Sequence, residues 1–299
     1  MEKMKFRGHE TFSIRKNWLP KAILAIRDNP RIFTDRDLRP MEILGMGKNM
    51  VTSLRYWVKA LGLATETRNV DTKKTECVFT KLGNLIGKKD PFVEELGTLY
   101  LLHAQLAQNL EYATSWYFFF NEFDLTEFDK NDFVFAVQNF DRMNGGNTAS
   151  RSFDDDFECL VNTYVSRSWK TNGMDPEDNM ESPFAELGLL DRGKNSEKTY
   201  RKVAPGYPGV PALIFYAELL KMAEKYPVRE IPLADIQNKS GFPGKIFNLG
   251  KGGSVAILEE LENRSLLKMV RTAGLDIVRL GSGDTFFTAV ERYYAELGG

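Results

Sequence analysis

A chain of 299 residues, 42% hydrophobic and 12% aromatic, can bury a sizeable core, which excludes extensive disorder and favours two or three packed domains. No apolar run reaches the roughly 18 residues of a membrane span, and the N-terminus lacks the apolar centre of a secretory signal, so a cytoplasmic protein without membrane contact is expected. The net charge of −1 hides an asymmetry: residues 1–90 carry 19 Lys and Arg against 10 Asp and Glu, whereas residues 91–299 carry 21 against 31.

That asymmetry is expected where one end of a protein meets a polyanion, and equally where the two parts salt-bridge to each other. Cys77 and Cys159 are too few and too far apart for a disulfide framework and read as reduced thiols in or near a core. The two histidines, His9 and His103, are equally isolated, so the close ligand pairs of a structural zinc site are missing and neither metal nor cofactor is expected.

The chain opens with RGHETFSIR. Phe6, Phe12 and Ile14 recur at even spacing, which predicts an extended arm with packed apolar side chains. His9 and Glu10 reach a common polar network if the chain bends at Gly8, forming a structural clasp on the first domain, with Arg7 and Arg15 placed for phosphate. Asn17 can cap a helix beginning at Trp18, and a second, short helix over Met41–Leu44 should stop at Gly45-Met46-Gly47. KNMVTSLRYWVKALG then places Met50 or Val51, Leu54, Trp57 or Val58, and Leu61 on one buried stripe. Its other face carries Lys48, Asn49, Thr52, Arg55, Tyr56 and Lys59. LATETRNVDTKKTECVFT reads as two short strands around a polar tip with Arg68, Asp71, Lys73 and Lys74. Helix, short helix, glycine turn, longer helix and hairpin is the order of a winged helix-turn-helix.

The middle of the chain reads as helical. Asp90 is placed to cap PFVEELGTLYLLHAQLAQN, with His103 on its apolar face as a hydrogen-bonded core histidine. EYATSWYFFFNEF, a segment begun by Asp129, and TASRSFDDDFECLVNTYVSR continue the pattern, the last with Phe153, Phe157, Leu160, Val161 and Tyr164 on one side. Residues 166–182 are polar and aperiodic, as in a long loop or linker. The last third repeats the first: a helix over GVPALIFYAELLKMAEKY, a short helix and turn, a helix capped by Ser254, a hairpin around Thr272-Ala273-Gly274, and a closing helix. The expected fold is mainly α, with tandem winged helices at 1–90 and 183–299 flanking a helical middle at 91–182.

Three stretches invite chemistry. LGMGKN at 44–49 lacks the glycine and the Ser or Thr of a phosphate loop, and LGKGGS at 249–254 lacks a strand-helix-strand context, so both read as turns. Asp154, Asp155 and Glu158 could supply oxygens to a divalent metal in a nuclease, but flanking Phe153 and Phe157 mark the buried side and make the acidic run a solvated flank. Duplex DNA is the better-supported ligand, with Lys48, Asn49, Thr52, Arg55 and Lys59 facing a groove and Arg68, Lys73 and Lys74 tracking phosphates from the wing. The equivalent C-terminal helix exposes Glu259, Glu260 and Glu262 beside Lys251 and Arg264, which suits a protein partner instead.

GHETFSIRKNWLPKA, LGMGKNMVTSLRYW, DPFVEELGTLYLLHAQLA, ATSWYFFFNEF, SPFAELGLL and VAPGYPGVPALIFY together resemble the bacterial family known as domain of unknown function 4007. The resemblance implies a setting and no catalytic residue: such proteins stand beside phosphoadenosine-phosphosulfate-reductase-like proteins in phage-defence islands, including phosphorothioate-type modules. The expected function is therefore a non-catalytic, DNA-binding component of a defence or modification system. The alternatives are a scaffold without DNA contact and a metal-dependent nuclease using Asp154, Asp155 and Glu158, with His9 as a further ligand.

Overall fold

The structure, a computed structural model, describes residues 3–298 except 167–180, 195, 197, 207–208, 225–228 and 273–274. Most of the expected polar linker at 166–182 and the tip Ala273-Gly274 therefore lie outside the described residues. About half of the chain is helical and its sheets are small and antiparallel, a mainly α architecture.

After the arm come α1 (Trp18–Asp28), α2 (Pro40–Leu44) and α3 (Lys48–Ala60), then the antiparallel pair β1 (Ala64–Arg68) and β2 (Thr75–Phe79), in register from Ala64↔Phe79 to Arg68↔Thr75. Glycine sets the stops: Gly45 and Gly62 follow α2 and α3 at φ +62° and +65°, a region closed to most side chains. Asn17 occupies the N-cap position of α1 but its side chain makes no capping bond. A fourth helix, α4 (Lys81–Lys89), follows the hairpin, capped by Thr80 Oγ1, which accepts from Gly83 N–H.

The middle contains α5 (Leu96–Ala107), α6 (Thr114–Asn121), α7 (Lys130–Met143) and α8 (Ser150–Tyr164). Asp90 does not cap α5 directly; its carboxylate accepts the N–H groups of Glu94 and Glu95 in the turn leading into it. Asp129 does cap α7, in a reciprocal capping box with Asp132. Strands β3 (Glu127–Phe128), β4 (Leu190–Arg192) and β5 (Tyr200–Lys202) form a sheet in the order β3-β5-β4, so residues beyond the polar stretch are bonded back to the middle helices. Lys202 turns under α6 and donates to the carbonyls of Phe119 and Phe123, satisfying the end of that helix.

The C-terminal third runs α9 (Ala212–Ala223), β6 (Glu230–Pro232), α10 (Leu233–Asn238), α11 (Pro243–Ile246), α12 (Lys251–Asn263), β7 (Leu267–Thr272), β8 (Leu275–Leu280) and α13 (Phe286–Leu297). The strands are ordered β6-β8-β7. Helix α12 begins three residues before the expected cap: Gly250 holds the N-cap position, and Ser254 is buried inside the helix. Helix α5 is buried on nearly every side. On it, Tyr293 Oη accepts from Gly97 N–H at 3.0 Å and Tyr294 shares a 2.6 Å hydrogen bond with Thr98. His103 is the core histidine that its position predicts: Nε2 donates to Ile246 O and Nδ1 accepts from Tyr164 Oη, both at 2.7 Å. Burial lowers its pKa to about 4, against the favourable Ile246 contact, so the ring is neutral.

Candidate nucleic-acid interface

The arm forms a clasp, but a wider one than its sequence indicates. It crosses α3 and reaches Asp155 and Asp156 on α8, well beyond the first expected domain boundary at residue 90. Phe12 O accepts Trp57 Nε1–H at 3.0 Å and Ser53 Oγ–H at 3.4 Å. Gly8 lies so close to the Tyr56 ring that a Cβ would stand 2.5 Å from it, so glycine is required for close approach. The bend is instead at Arg7, Glu10 and Thr11, all at positive φ. Tyr56 is consequently buried, at 4% exposure, and leaves the exposed face on which its spacing had placed it.

His9 is fully buried and bonds Asp156 Oδ1 through Nε2 at 2.7 Å. The same carboxylate accepts Arg7 N–H at 2.8 Å and Ser115 Oγ–H at 2.5 Å, so a single aspartate ties arm, α6 and α8 together. Burial lowers the His9 pKa, but Cys159 and Asp156 outweigh it and raise the value to about 10. Burial also raises the Cys159 pKa, against the lowering effect of His9. Thr11 N–H donates to Nδ1 at 3.1 Å, the one contact that ring protonation gives up. Glu10 is exposed and takes no part in this network, contrary to its expected pairing with His9.

On α3, Lys48, Asn49 and Thr52 are exposed, and Thr52 Oγ1 donates to Lys48 O. Arg55 and Lys59 are half-buried and share one carboxylate from β1: Glu66 accepts from Arg55 Nε and Nη2 at 2.6 and 2.9 Å, and pairs with Lys59 Nζ at 3.1 Å. At the hairpin tip, Arg68, Lys73 and Lys74 are exposed, with Arg68 Nε donating to Lys73 O. Of the two arginines assigned to phosphate, Arg7 pairs with Asp155 at 2.6 Å, and Arg15 lies 5.7 Å over the Trp18 ring.

Sequence spacing could not show that the arm delivers Lys5 to the same end of α3. Lys5 N–H donates to Thr114 Oγ1, and its Nζ lies 5.5 Å over Tyr56 and 5.8 Å over Tyr112, the ring that Lys59 Nζ also approaches at 5.8 Å. Burial lowers the Lys5 pKa first, and then the nearby charges of Lys59, Lys3 and Arg55 lower it further against Glu66. Arg55 and Lys59 thus hold the Glu66 carboxylate directly, and Lys5, with Lys3 acting on it, adds positive charge beside the partly exposed Tyr112.

The acidic run on α8 is fully engaged. Asp154 and Glu158 share Lys130 at 3.2 and 3.3 Å, Asp155 holds Arg7, and Asp156 faces inward. Among the described residues no group of three or more His, Cys, Asp or Glu side chains is arranged to hold a metal ion. On the C-terminal helix, Glu259 pairs with Arg271, Glu260 with Arg264, and Glu262 accepts Met269 N–H, so this face is less acidic than its composition implies. No described helix is long and apolar enough to cross a membrane.

No curated protein matches the sequence. Solved structures similar to it include an "SspB crystal structure" at 29% identity and a "Magnesium ion-bound SspB crystal structure" at 28%. Each has a TM-score of 0.84 and is aligned over 97% of this chain and 88% of its own. With residues 6–294 matching the family described as protein of unknown function (DUF4007), the chain belongs to that family.

Proposed function

We propose that this is a cytoplasmic, non-catalytic protein that binds duplex DNA through its N-terminal part and presents its remainder to protein partners in a defence or DNA-modification system. The observation that carries the reading is the gathering of Arg55 and Lys59 on Glu66, with Lys5 delivered by the arm to the same tyrosine that Lys59 faces. Like charges are held together at a cost, which an incoming polyanion relieves. The order α1, α2, α3, β1, β2 supports a winged helix-turn-helix, in which Lys48, Asn49 and Thr52 face a groove and Arg68, Lys73 and Lys74 lie over phosphates. The order α9, β6, α10, α12, β7, β8 supports a second. The family setting supports partners that include a phosphoadenosine-phosphosulfate-reductase-like protein.

The test is fluorescence anisotropy with a labelled duplex across a salt series. Wild-type protein should bind at low salt with steeply salt-dependent affinity, and Lys5→Glu with Lys59→Glu should weaken binding at least tenfold. Unchanged affinity in that variant would remove the reading and leave the scaffold.

One observation favours a second reading: a solved relative is magnesium-bound. The residues here do not fit it well, because Asp154, Asp155 and Glu158 are already paired with Lys130 and Arg7. Magnesium-dependent nicking of supercoiled plasmid that disappears in Asp155→Asn would establish a nuclease in place of the non-catalytic protein.

A further inference from the structure

The Arg55–Glu66 contact has the geometry of an arginine gripping a ligand. Two parallel N–H groups meet two carboxylate oxygens at 2.6 and 2.9 Å, and Lys59 closes on one of those oxygens at 3.1 Å. A phosphodiester presents two charged oxygens in the same fork-to-fork arrangement. Glu66 lies on β1, an element outside α3, so its carboxylate can leave the fork without unwinding the helix. Lys5, with Lys3 nearby, adds charge on the arm side.

Resting on the DNA reading above, we propose that Glu66 occupies the place of a backbone phosphate, and that duplex binding requires this carboxylate to yield the Arg55 fork and Lys59 to the phosphate. The free protein is then held in a self-occupied state. Its cations stay ordered in the absence of DNA, and weak anions do not compete with the built-in carboxylate. The hairpin that carries Glu66 also carries Arg68, Lys73 and Lys74, so displacing Glu66 couples the fork to the position of the tip.

Three variants on the same hairpin separate this exchange from a general change of charge. Glu66→Gln removes the competing charge. Glu66→Asp keeps the charge but shortens its reach to the guanidinium. Glu76→Gln removes a carboxylate from the opposite face of the hairpin, where Glu76 accepts from Asn69 Nδ2. With a fluorescein-labelled duplex, Glu66→Gln should bind about 5- to 30-fold tighter than wild type, with a salt slope steeper by about 1–2. Glu66→Asp should also tighten, and Glu76→Gln should move affinity less than about twofold. Equal effects of Glu66→Gln and Glu76→Gln, or Glu66→Asp no tighter than wild type, would overturn the exchange while leaving DNA binding intact. Absence of binding by both wild type and Glu66→Gln at about 20 mM salt would overturn the DNA reading itself.

Discussion

At the scale of single residues, Asp156 and the two histidines decide how the interior is tied. Removing one member of a buried, hydrogen-bonded charge pair strands the other, at a cost of about 3–5 kcal/mol. Asp156→Asn should lose stability on that order in urea titrations, and Asp154→Asn, on an exposed pair of the same helix, should lose less than about 1 kcal/mol. His103 sets an acid limit. Its folded pKa of about 4 lies below the usual 6.5, so between those values the unfolded chain binds a proton that the folded chain refuses. Melting temperature should therefore fall as pH drops from 6.5 to 4, and the fall should be smaller in His103→Gln. The role of His103 was legible from its apolar neighbours. Asp156 was passed over because it sits in a run of three aspartates, yet the spacing Phe153, Asp156, Phe157, Leu160 already places it in the buried stripe. Glu66 and Lys5 carried no such signal, since their partners come from other elements.

At the scale of elements, helical periodicity found most helices and misjudged how many sides each buries. Helix α3 was read as two-faced, but the arm covers a second side of it, which takes Tyr56 and Ser53 out of solvent. Helix α4 was not anticipated because Gly83 and Gly87 lower its helix propensity. The structure gives the two glycines opposite meanings. A Cβ on Gly83 would stand 1.8 Å from the Leu63 carbonyl oxygen, whereas one on Gly87 meets nothing nearer than Arg27 Nη2 at 3.5 Å. Gly83→Ala should therefore destabilise the fold by several times the helix-propensity difference of about 1 kcal/mol. Gly87→Ala should be neutral or stabilise by up to about that amount. Thermal denaturation of the two variants side by side checks the contrast.

At the scale of the whole molecule, the mainly α class followed from composition and pattern, while long-range closure did not. Contacts that join residues 5, 7 and 9 to residues 114 and 156, or residue 97 to residue 293, leave no periodic trace. A fragment of residues 1–90 lacks the partners of Lys5, Arg7 and His9, and we predict that it shows little near-ultraviolet circular dichroism. A fragment of residues 1–166 should regain that signal at the arm.

The arm's attachment also has a consequence in time. His9 leaves the ribosome 147 residues before its partner Asp156. At synthesis rates of about 5–20 residues per second, the arm waits roughly 7–30 s before it can close. Until α6 emerges, Lys5 has no Thr114 to hold it beside Lys59, and until α8 follows, His9 has no Asp156, so the nascent chain carries its basic arm unattached through the first half of its synthesis.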